Sequence, residues 1–336
     1  MMKLKIDPFM ALMMGAVLLA TILPAQGVGA TVFQWISTIG VAFLFFAHGA
    51  ALSRSALLGG AKQWQLHLFI LATTFIVFPL VIYPLGLLPR SWLPEDLFLG
   101  FLYLAALPSA VSSSIAFTAM ARGNVPAAIC ASAGSNVFGL MLTPLLVAVL
   151  MKTSAGGAID LSQSLQEIVL ELLLPFALGQ LIHPKVADFM ARRKQWLNNY
   201  DQSVIVVIIY TAFSQSVIEG LWSKLPPASL VVAIVLCTLL LLVIFAFTMY
   251  AARGLGFSRG DEIAAVFCGS KKSLASGLPL AQVLFAGAPG FGMIVLPIML
   301  YNQIQILMGA VLARRYARHG EEESIAAGEP LSASQS

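Results

Sequence analysis

The sequence predicts an all-α integral membrane protein with ten transmembrane helices, and three observations support this fold class. Of the 336 residues, 59% are hydrophobic and only 10% are charged, whereas a soluble domain carries about 25% charged residues. The apolar residues form ten stretches, and the length of each is close to that of a helix that crosses a bilayer, about 20 residues. The basic residues lie between alternate stretches, as in the cytoplasmic loops of membrane proteins. These three observations together predict that lipid surrounds most of the chain.

The ten predicted spans are joined by short connections rich in Gly and Pro, which favour turns. They form one membrane unit over residues 1–318, with a first repeat at about 8–151 and a second at about 164–313. Residues 319–336 are acidic and rich in Ser and Ala, which predicts a disordered cytoplasmic tail. The predicted spans are about 8–24, 31–52, 66–88, 96–120, 125–151, 164–183, 203–219, 228–251, 261–285 and 291–313.

The distribution of Lys and Arg predicts the orientation of the chain. With a cytoplasmic N-terminus, fourteen of the nineteen basic residues lie in cytoplasmic loops and tails, three lie on the other side, and Lys271 and Lys272 lie inside a span. Cytoplasmic loops are enriched in Lys and Arg, so both termini are predicted to be cytoplasmic, at the plasma (inner) membrane. The net charge of +4 comes without a basic face, which argues against nucleic acid as a partner.

The two halves share a pattern that predicts an inverted repeat. The fourth span begins after Glu95 and the ninth at Asp261; each holds a polar cluster near its middle and is followed by a short turn with proline. Because each half contains five spans, an odd number, the second half must be inverted. Inverted repeats with interrupted helices at equivalent positions are typical of secondary transporters. The alternative is that two Gly/Pro connections coincide by chance.

The polar cluster of the fourth span follows a proline. Pro108 cannot donate a backbone hydrogen bond and clashes with the preceding helical turn. In a membrane, the backbone leaves helical geometry only where it faces protein or a watery cavity. The freed carbonyls and the serine hydroxyls would suit a small cation or a polar substrate, whereas a simple kink with serines bonded to the preceding turn is the alternative. The candidate site residues of this cluster are Ser109, Ser112, Ser113 and Ser114.

The cluster of the ninth span contains Cys268, Ser270, Lys271 and Lys272, all of which are candidate site residues. Lysines inside a transmembrane span are costly and mark function by default, and a helix end is too distant for simple snorkelling to the interface. Burial disfavours the charged form of an amine, so either lysine is a candidate proton carrier or tethered cation. An ammonium group needs oxygen acceptors, which we expect to be the Ser112–Ser114 hydroxyls or freed carbonyls.

A third polar set lies on the neighbouring spans. Ser132 and Asn136 are four residues apart on the fifth span and therefore share a helix face. Their counterparts on the tenth span are Asn302, Gln303 and Gln305. Ser132, Asn136 and Asn302 are further candidates for substrate or ion binding, and hydrogen bonding between helices is the alternative interpretation of these polar residues. Carboxylates are almost absent from the predicted spans, so the cationic groups have no evident acidic partner.

Three segments resemble a known family, the bile acid:sodium symporter superfamily, in its branch of bacterial and eukaryotic cotransporter-like proteins. They are Leu107–Thr118, Arg122–Pro126 and Phe267–Leu274. The resemblance extends over about residues 5–318. It implies ten helices in two inverted five-helix repeats, with discontinuous helices four and nine that cross at the centre. It also implies a panel of helices one, two, six and seven beside a core of the others.

The resemblance also implies a sodium site, drawn from Ser113 and Ser114 after the first break and from the Ser132 and Asn136 pair. Sodium-coupled members carry a Glu and a Gln on helix nine, and those positions are Cys268 and Lys272 here. At an effective dielectric constant of about 20, two unit charges 4 Å apart interact by about 4 kcal/mol. An added ammonium group and a missing carboxylate would therefore repel Na⁺ from this position.

The repeat, the interrupted helices and the buried cationic residues together predict a secondary active transporter of a small-molecule organic anion that works by alternating access. The coupling ion is Na⁺, as the resemblance implies, or H⁺ carried by a buried lysine, and no other cofactor is predicted. The alternative function is a non-transporting membrane regulator or scaffold that retains a carrier fold. An enzyme is not predicted, because no nucleophile–base pair is visible. The substrate and the oligomeric state stay open.

Overall fold

The computed structural model describes residues 8–51, 63–155, 169–285 and 287–326. These ranges consist of helices and connecting turns, with no β-strand among the described residues. Seven helices in the described part are long and apolar enough to cross a membrane. The prediction of an all-helical membrane protein is confirmed in this form.

The described part of the first half of the chain holds six helical elements. The third, α3, changes its winding along its length: an α-helical start is followed by a π-helical stretch at Thr73–Val77 and a 3₁₀ end at Tyr83–Leu87. Such π-helical insertions are frequent at functional sites, because they shift the hydrogen-bond ladder and free carbonyls. The elements are α1 (Pro8–Ile22), α2 (Val28–Ala51), α3 (Trp64–Leu87), α4 (Glu95–Ala106), α5 (Ser112–Met120) and α6 (Val125–Ala155).

The second half also holds six helical elements among the described residues. A π-helical turn at Val169–Leu173 leads into the first of them, and one isolated helical turn, Leu221–Lys224, lies between the second and third. The elements are α7 (Leu174–Arg192), α8 (Lys194–Ile218), α9 (Pro227–Gly254), α10 (Arg259–Ser270), α11 (Leu274–Phe285) and α12 (Phe291–Ala326).

Several boundaries differ from the predicted spans. Helix α7 runs to Arg192 and α8 begins at Lys194, so the predicted loop at 184–202 is almost entirely helical; residues 164–168 lie outside the described part. Basic residues are good helix formers, so an apolar span can continue into the headgroup region as helix. For the same reason α12 continues to Ala326, past the predicted start of a disordered tail at 319. Residues 327–336 lie outside the described part.

Helices α2 and α7 pack closely through glycines. A Cβ atom added to Gly49 would collide with the backbone carbonyl oxygen of Phe176, and one added to Gly179 would collide with that of Phe46. Small residues let two membrane helices approach until their backbones touch. The α2–α7 pair therefore forms a tight wall on one side of the molecule.

Helices α4 and α10 are largely enclosed by the rest of the protein. Nearly all residues from Leu97 to Ala106 are buried, as is every residue from Glu262 to Ser270. Each of these helices ends in the middle of the protein, where the chain leaves helical geometry before α5 and α11 begin. The two interruptions therefore lie inside the protein rather than against lipid, as the cost of bare backbone polar groups in lipid requires.

Candidate transport site

The fourth and ninth predicted spans are each two helices separated by an extended segment. Residues 107–111 separate α4 from α5, and residues 271–273 separate α10 from α11. Leu107 and Lys271, which follow the two helix ends, both have extended backbone angles. Pro108 explains the first interruption, because its ring excludes the residue before it from helical geometry.

The two extended segments contact each other directly. The Ser273 backbone N–H donates to the Pro108 carbonyl over 2.9 Å, and the Ala110 N–H donates to the Lys271 carbonyl over 3.4 Å. Backbone groups that would be unsatisfied in an isolated broken helix are therefore paired across the two halves of the sequence. This crossing point is the centre of the candidate site.

Lys272 places its ammonium group inside a cage of backbone oxygens at the crossing. Its Nζ donates to the carbonyls of Thr74 over 2.8 Å, Ala105 over 2.9 Å and Leu107 over 2.7 Å. The ring of Phe78 closes the remaining side, with its centroid 4.0 Å from Nζ. Lys272 is fully buried. Because an ammonium group has three N–H donors, this arrangement uses every one of them.

The local backbone explains why these carbonyls are free to accept. Ala105 and Leu107 lie at the C-terminal end of α4, where the last four helical carbonyls lack partners in the helix. Thr74 lies in the π-helical stretch of α3. The C-terminal end of a helix also carries partial negative charge. The Lys272 ammonium group thus donates hydrogen bonds to the unpaired carbonyls and places a positive charge at the partially negative end of α4.

Lys271 is also fully buried but is held more weakly. Its Nζ donates to the Gln305 carbonyl over 3.3 Å and lies 3.7 Å from the ring centroid of Phe117. Its surroundings are thus largely aromatic, and a cation over an aromatic face contributes about 2 kcal/mol where water is excluded. The two neighbouring lysines therefore occupy separate environments, because the extended backbone points their side chains apart.

Gln305 of α12 clamps the second interruption. Its side-chain carbonyl accepts from the Lys272 N–H over 2.9 Å, and its amide group donates to the Lys272 carbonyl over 2.9 Å. The same amide group donates to the Asn302 side chain over 3.1 Å. Gln305 therefore satisfies both backbone groups of the residue whose side chain fills the oxygen cage.

Polar contacts connect the first interruption to α6 and α10, and α6 to α11. The Ser109 hydroxyl donates to the Cys268 carbonyl over 2.5 Å, and its backbone N–H donates to the Ser135 hydroxyl over 3.0 Å. Asn136 donates to the Ser109 carbonyl over 2.8 Å, and the Ser276 hydroxyl donates to the Asn136 side-chain oxygen over 2.6 Å. Ser109, Asn136 and Cys268 thus belong to one network around the crossing.

The other predicted residues lie at varying distances from this network. Ser114 is buried and donates to the Phe267 carbonyl, whereas Ser112 is exposed and Ser113 is half-buried. Ser132 and Ser270 each bond back to a carbonyl one turn earlier in their own helix. Within the described residues, neither lysine ammonium donates to a serine hydroxyl, so the freed carbonyls are the acceptors that the lysines use.

The predicted sodium site consists of Ser113, Ser114, Ser132 and Asn136, and in this conformation these residues are poorly arranged to bind Na⁺. Ser132 is turned to its own helix, and the side-chain oxygen of Asn136 already accepts from Ser276. Among the described residues, no group of three or more His, Cys, Asp or Glu side chains could hold a metal ion. At the two positions where the resemblance implies a Glu and a Gln, this chain has the buried thiol of Cys268 and the caged ammonium group of Lys272. Hard cations prefer oxygen ligands that include carboxylates.

A cavity of about 150 Å³ lies beside the crossing. On one side are the first interruption, α6 and the first turn of α11, represented by Val111, Asn136 and Ser276. On the other side are His48 of α2 and Phe176 of α7. Because α5 and α11 begin at this cavity, the partial positive charge of two helix N-termini is directed towards it.

His48, which lines this cavity, contacts Asp201 of α8, and the sequence did not predict this pair. The His48 Nε2 and Asp201 Oδ2 atoms are 3.0 Å apart, and both side chains are largely buried. The other carboxylate oxygen of Asp201 is buried without a hydrogen-bond partner among the described residues. His48 therefore presents a polar group to a cavity whose other lining residues are mostly apolar.

The sequence matches the SBF-like CPA transporter family over residues 7–318. The chain belongs to this family. It is 46% identical to the "Uncharacterized protein PA2026" of Pseudomonas aeruginosa over 325 residues, which is 96% of each chain. It is 44% identical to the "Putative symporter YfeH" of Escherichia coli over 318 residues, which is 94% of this chain and 95% of the other. The rat protein named sodium/bile acid cotransporter 7 is 29% identical over 283 residues, 82% of each chain.

Membership of the SBF-like CPA transporter family makes this protein a membrane transporter and agrees with the resemblance seen in the sequence. Sequence reasoning missed the roles that depend on distant contacts. Gln305 belongs to the polar set predicted on the tenth span, but its contact with the Lys272 backbone was not predicted. Thr74 contributes only its backbone, so its side chain carried no signal.

Proposed function

We propose that this protein is a secondary active transporter that moves a small organic anion across the plasma (inner) membrane by alternating access. Its ten predicted spans form two inverted five-helix repeats, with α4 and α5 as the fourth span and α10 and α11 as the ninth. Both termini are cytoplasmic, as the distribution of Lys and Arg favours. Family membership supports the transporter class.

The observation that carries the proposal is the caged ammonium group of Lys272. Three carbonyls from α3 and the end of α4 surround it, as oxygen ligands would surround a bound cation. Na⁺-coupled carriers use a bound cation to hold interrupted helices together. In this proposal Lys272 is a tethered cation that does this permanently, so the assembly of the crossing requires no Na⁺.

The cavity beside the crossing is the proposed anion site. Asn136 and Ser276 supply polar groups, and the N-termini of α5 and α11 supply positive potential for a carboxylate or similar group. Its volume of about 150 Å³ is below the about 300 Å³ of pockets for drug-sized ligands. We therefore propose that the anion bound in this conformation is smaller than a steroid acid.

The position of the cavity between two parts of the molecule supports the proposal of alternating access. The closely packed α2–α7 pair forms one wall, and the crossing with α6 and α11 forms the other. Rocking of one part against the other would open the cavity to either side in turn, which is the usual mechanism for carriers with a site at the repeat interface.

Proton coupling is the proposed alternative to sodium coupling. His48 lines the cavity and contacts Asp201, so protonation of this pair would change the charge of the cavity wall as an anion binds. The lysines are less suited to this task. Every donor of the Lys272 ammonium group has an acceptor in the cage, and loss of a proton would leave one of those carbonyls unsatisfied.

Counterflow in proteoliposomes tests the transport proposal. Vesicles with purified protein are loaded with one unlabelled organic anion from a panel of mono-, di- and tricarboxylates, and uptake of the labelled anion is followed. We expect saturable counterflow with at least one small anion. A regulator or scaffold would bind an anion without counterflow, so the absence of flux from folded protein with every member of the panel would contradict transport.

A further inference from the structure

A groove that shares no lining residue with the transport cavity runs between α9 and α12. Its basic end, near the predicted cytoplasmic surface, is a pocket of about 570 Å³ that includes Arg253, Arg259 and Arg315. Glu262 is the single acidic residue of this lining. The pocket therefore combines three guanidinium groups with one carboxylate and has a net positive charge.

The pocket continues into an apolar groove of about 500 Å³. Met249, Leu312 and Arg315 line both spaces, so the groove and the basic end are continuous. The apolar walls include Leu307 and Val311, which are 57% and 55% exposed and therefore face the surrounding lipid. A charged pocket joined to an apolar, membrane-facing groove has the shape and polarity of a phospholipid.

The basic end is preorganised by contacts within the protein. Arg253 donates from Nε and Nη2 to the Glu262 carboxylate over 3.1 and 2.9 Å, and the Tyr316 hydroxyl donates to the same carboxylate over 2.7 Å. Arg259 donates to the Tyr316 carbonyl over 2.9 Å. A guanidinium group has five N–H donors, and the bonds from Arg253 to Glu262 use two of them, so Arg253 keeps donors for a further anion.

We infer that this groove binds an anionic phospholipid of the cytoplasmic leaflet, with the phosphate at the arginines and an acyl chain between α9 and α12. Basic pockets between helices on the cytoplasmic side bind lipid headgroups in this way. None of the groove residues lines the transport cavity, so this is a separate site.

The site would influence transport through the helices that it joins. Arg259 is the first residue of α10, which ends directly before Lys271 and Lys272. Helix α12 carries Gln305, which clamps Lys272, next to Leu307 in the groove. A lipid that holds α9, α10 and α12 together would therefore stabilise the caged ammonium from its outer side. This consequence rests on the proposed function, whereas the lipid site itself does not.

The test measures thermal stabilisation of the full-length protein in neutral detergent during titration with phosphatidylglycerol, phosphatidylcholine or inorganic phosphate. We expect phosphatidylglycerol to stabilise the protein most, and phosphate alone to have little effect. Arg315→Gln should weaken the apparent affinity for phosphatidylglycerol about fivefold, since one basic residue near a lipid surface contributes about a factor of this size. Arg318→Gln is the matched control, with the same change in charge on the same helix outside the groove.

Ala246→Trp fills the apolar groove without changing the charge. It should weaken binding of phosphatidylglycerol while leaving the protein folded. Equal stabilisation by both lipids, equal losses for Arg315→Gln and Arg318→Gln, or full stabilisation by phosphate alone would each overturn the lipid site. None of these results depends on transport, so the lipid site and the transport proposal can fail separately.

Discussion

Replacement of Lys272 with Met is expected to abolish transport and to lower the free energy of unfolding by about 3 kcal/mol or more. The substitution keeps the length of the side chain but removes the three donors that satisfy the carbonyls of Thr74, Ala105 and Leu107. Each buried acceptor left without a partner costs about 1–3 kcal/mol. Thermal unfolding of the purified protein and anion uptake measure the two effects.

Lys271→Met is the matched control for this prediction. Lys271 is equally buried, but its ammonium group makes one long hydrogen bond and contacts aromatic rings. We expect its loss to destabilise the protein by less than half as much as Lys272→Met. Equal destabilisation by the two substitutions, or full uptake by Lys272→Met, would contradict the role of Lys272 as a tethered cation.

Replacement of Ala133 with Phe is expected to reduce anion uptake more than tenfold while the protein stays folded. Ala133 lines the cavity beside the crossing, and its side chain is 8% exposed. A phenylalanine ring would take the space proposed for the anion and can be accommodated there, whereas overpacking of a filled core costs about 1–3 kcal/mol. The uptake rate and the unfolding midpoint are measured on the same preparation.

Met141→Phe provides the control on the same helix. Met141 is 63% exposed on the face of α6 that meets lipid, so a phenylalanine there should leave uptake unchanged. If Ala133→Phe transports at the wild-type rate in a folded protein, the anion passes elsewhere and the assigned cavity is wrong.

The sequence was sufficient for the helical membrane fold and for the positions of its interruptions. Long apolar stretches exclude a soluble domain, and Pro108 marks the first break because proline cannot continue the backbone ladder. Lys271 and Lys272 mark the second break, because a buried amine requires oxygen acceptors. Helix ends were less predictable: charged residues can prolong a helix beyond the lipid, as at Arg192 and Ala326.

The sequence predicted the acceptors of the lysines only by type, as the Ser112–Ser114 hydroxyls or freed carbonyls. Backbone carbonyls accept from the ammonium groups, but which carbonyls do so could not be predicted. The Ser132 and Ser270 hydroxyls bond back to their own helices, which satisfies them locally. Whether a carbonyl is free depends on where a helix ends or widens, and the π-helical stretch at Thr73–Val77 has no clear signature in its residues.

The pair of His48 and Asp201 shows the same limit. These residues are 153 positions apart, and each alone is an ordinary polar residue near a helix end. Only the packing of α2 against α8 brings them together beside the cavity. A titratable group within a largely apolar membrane protein is a strong functional signal once its neighbours are known.

Uptake of a small organic anion into Na⁺-free proteoliposomes, with and without an imposed pH gradient, tests the central claim most directly. If Lys272 is a tethered cation and the His48–Asp201 pair carries the proton, saturable uptake will occur without Na⁺. The pH gradient will accelerate it, addition of Na⁺ will leave it unchanged, and Asp201→Asn will remove the response to pH. Uptake that requires Na⁺ and ignores the pH gradient would contradict the account.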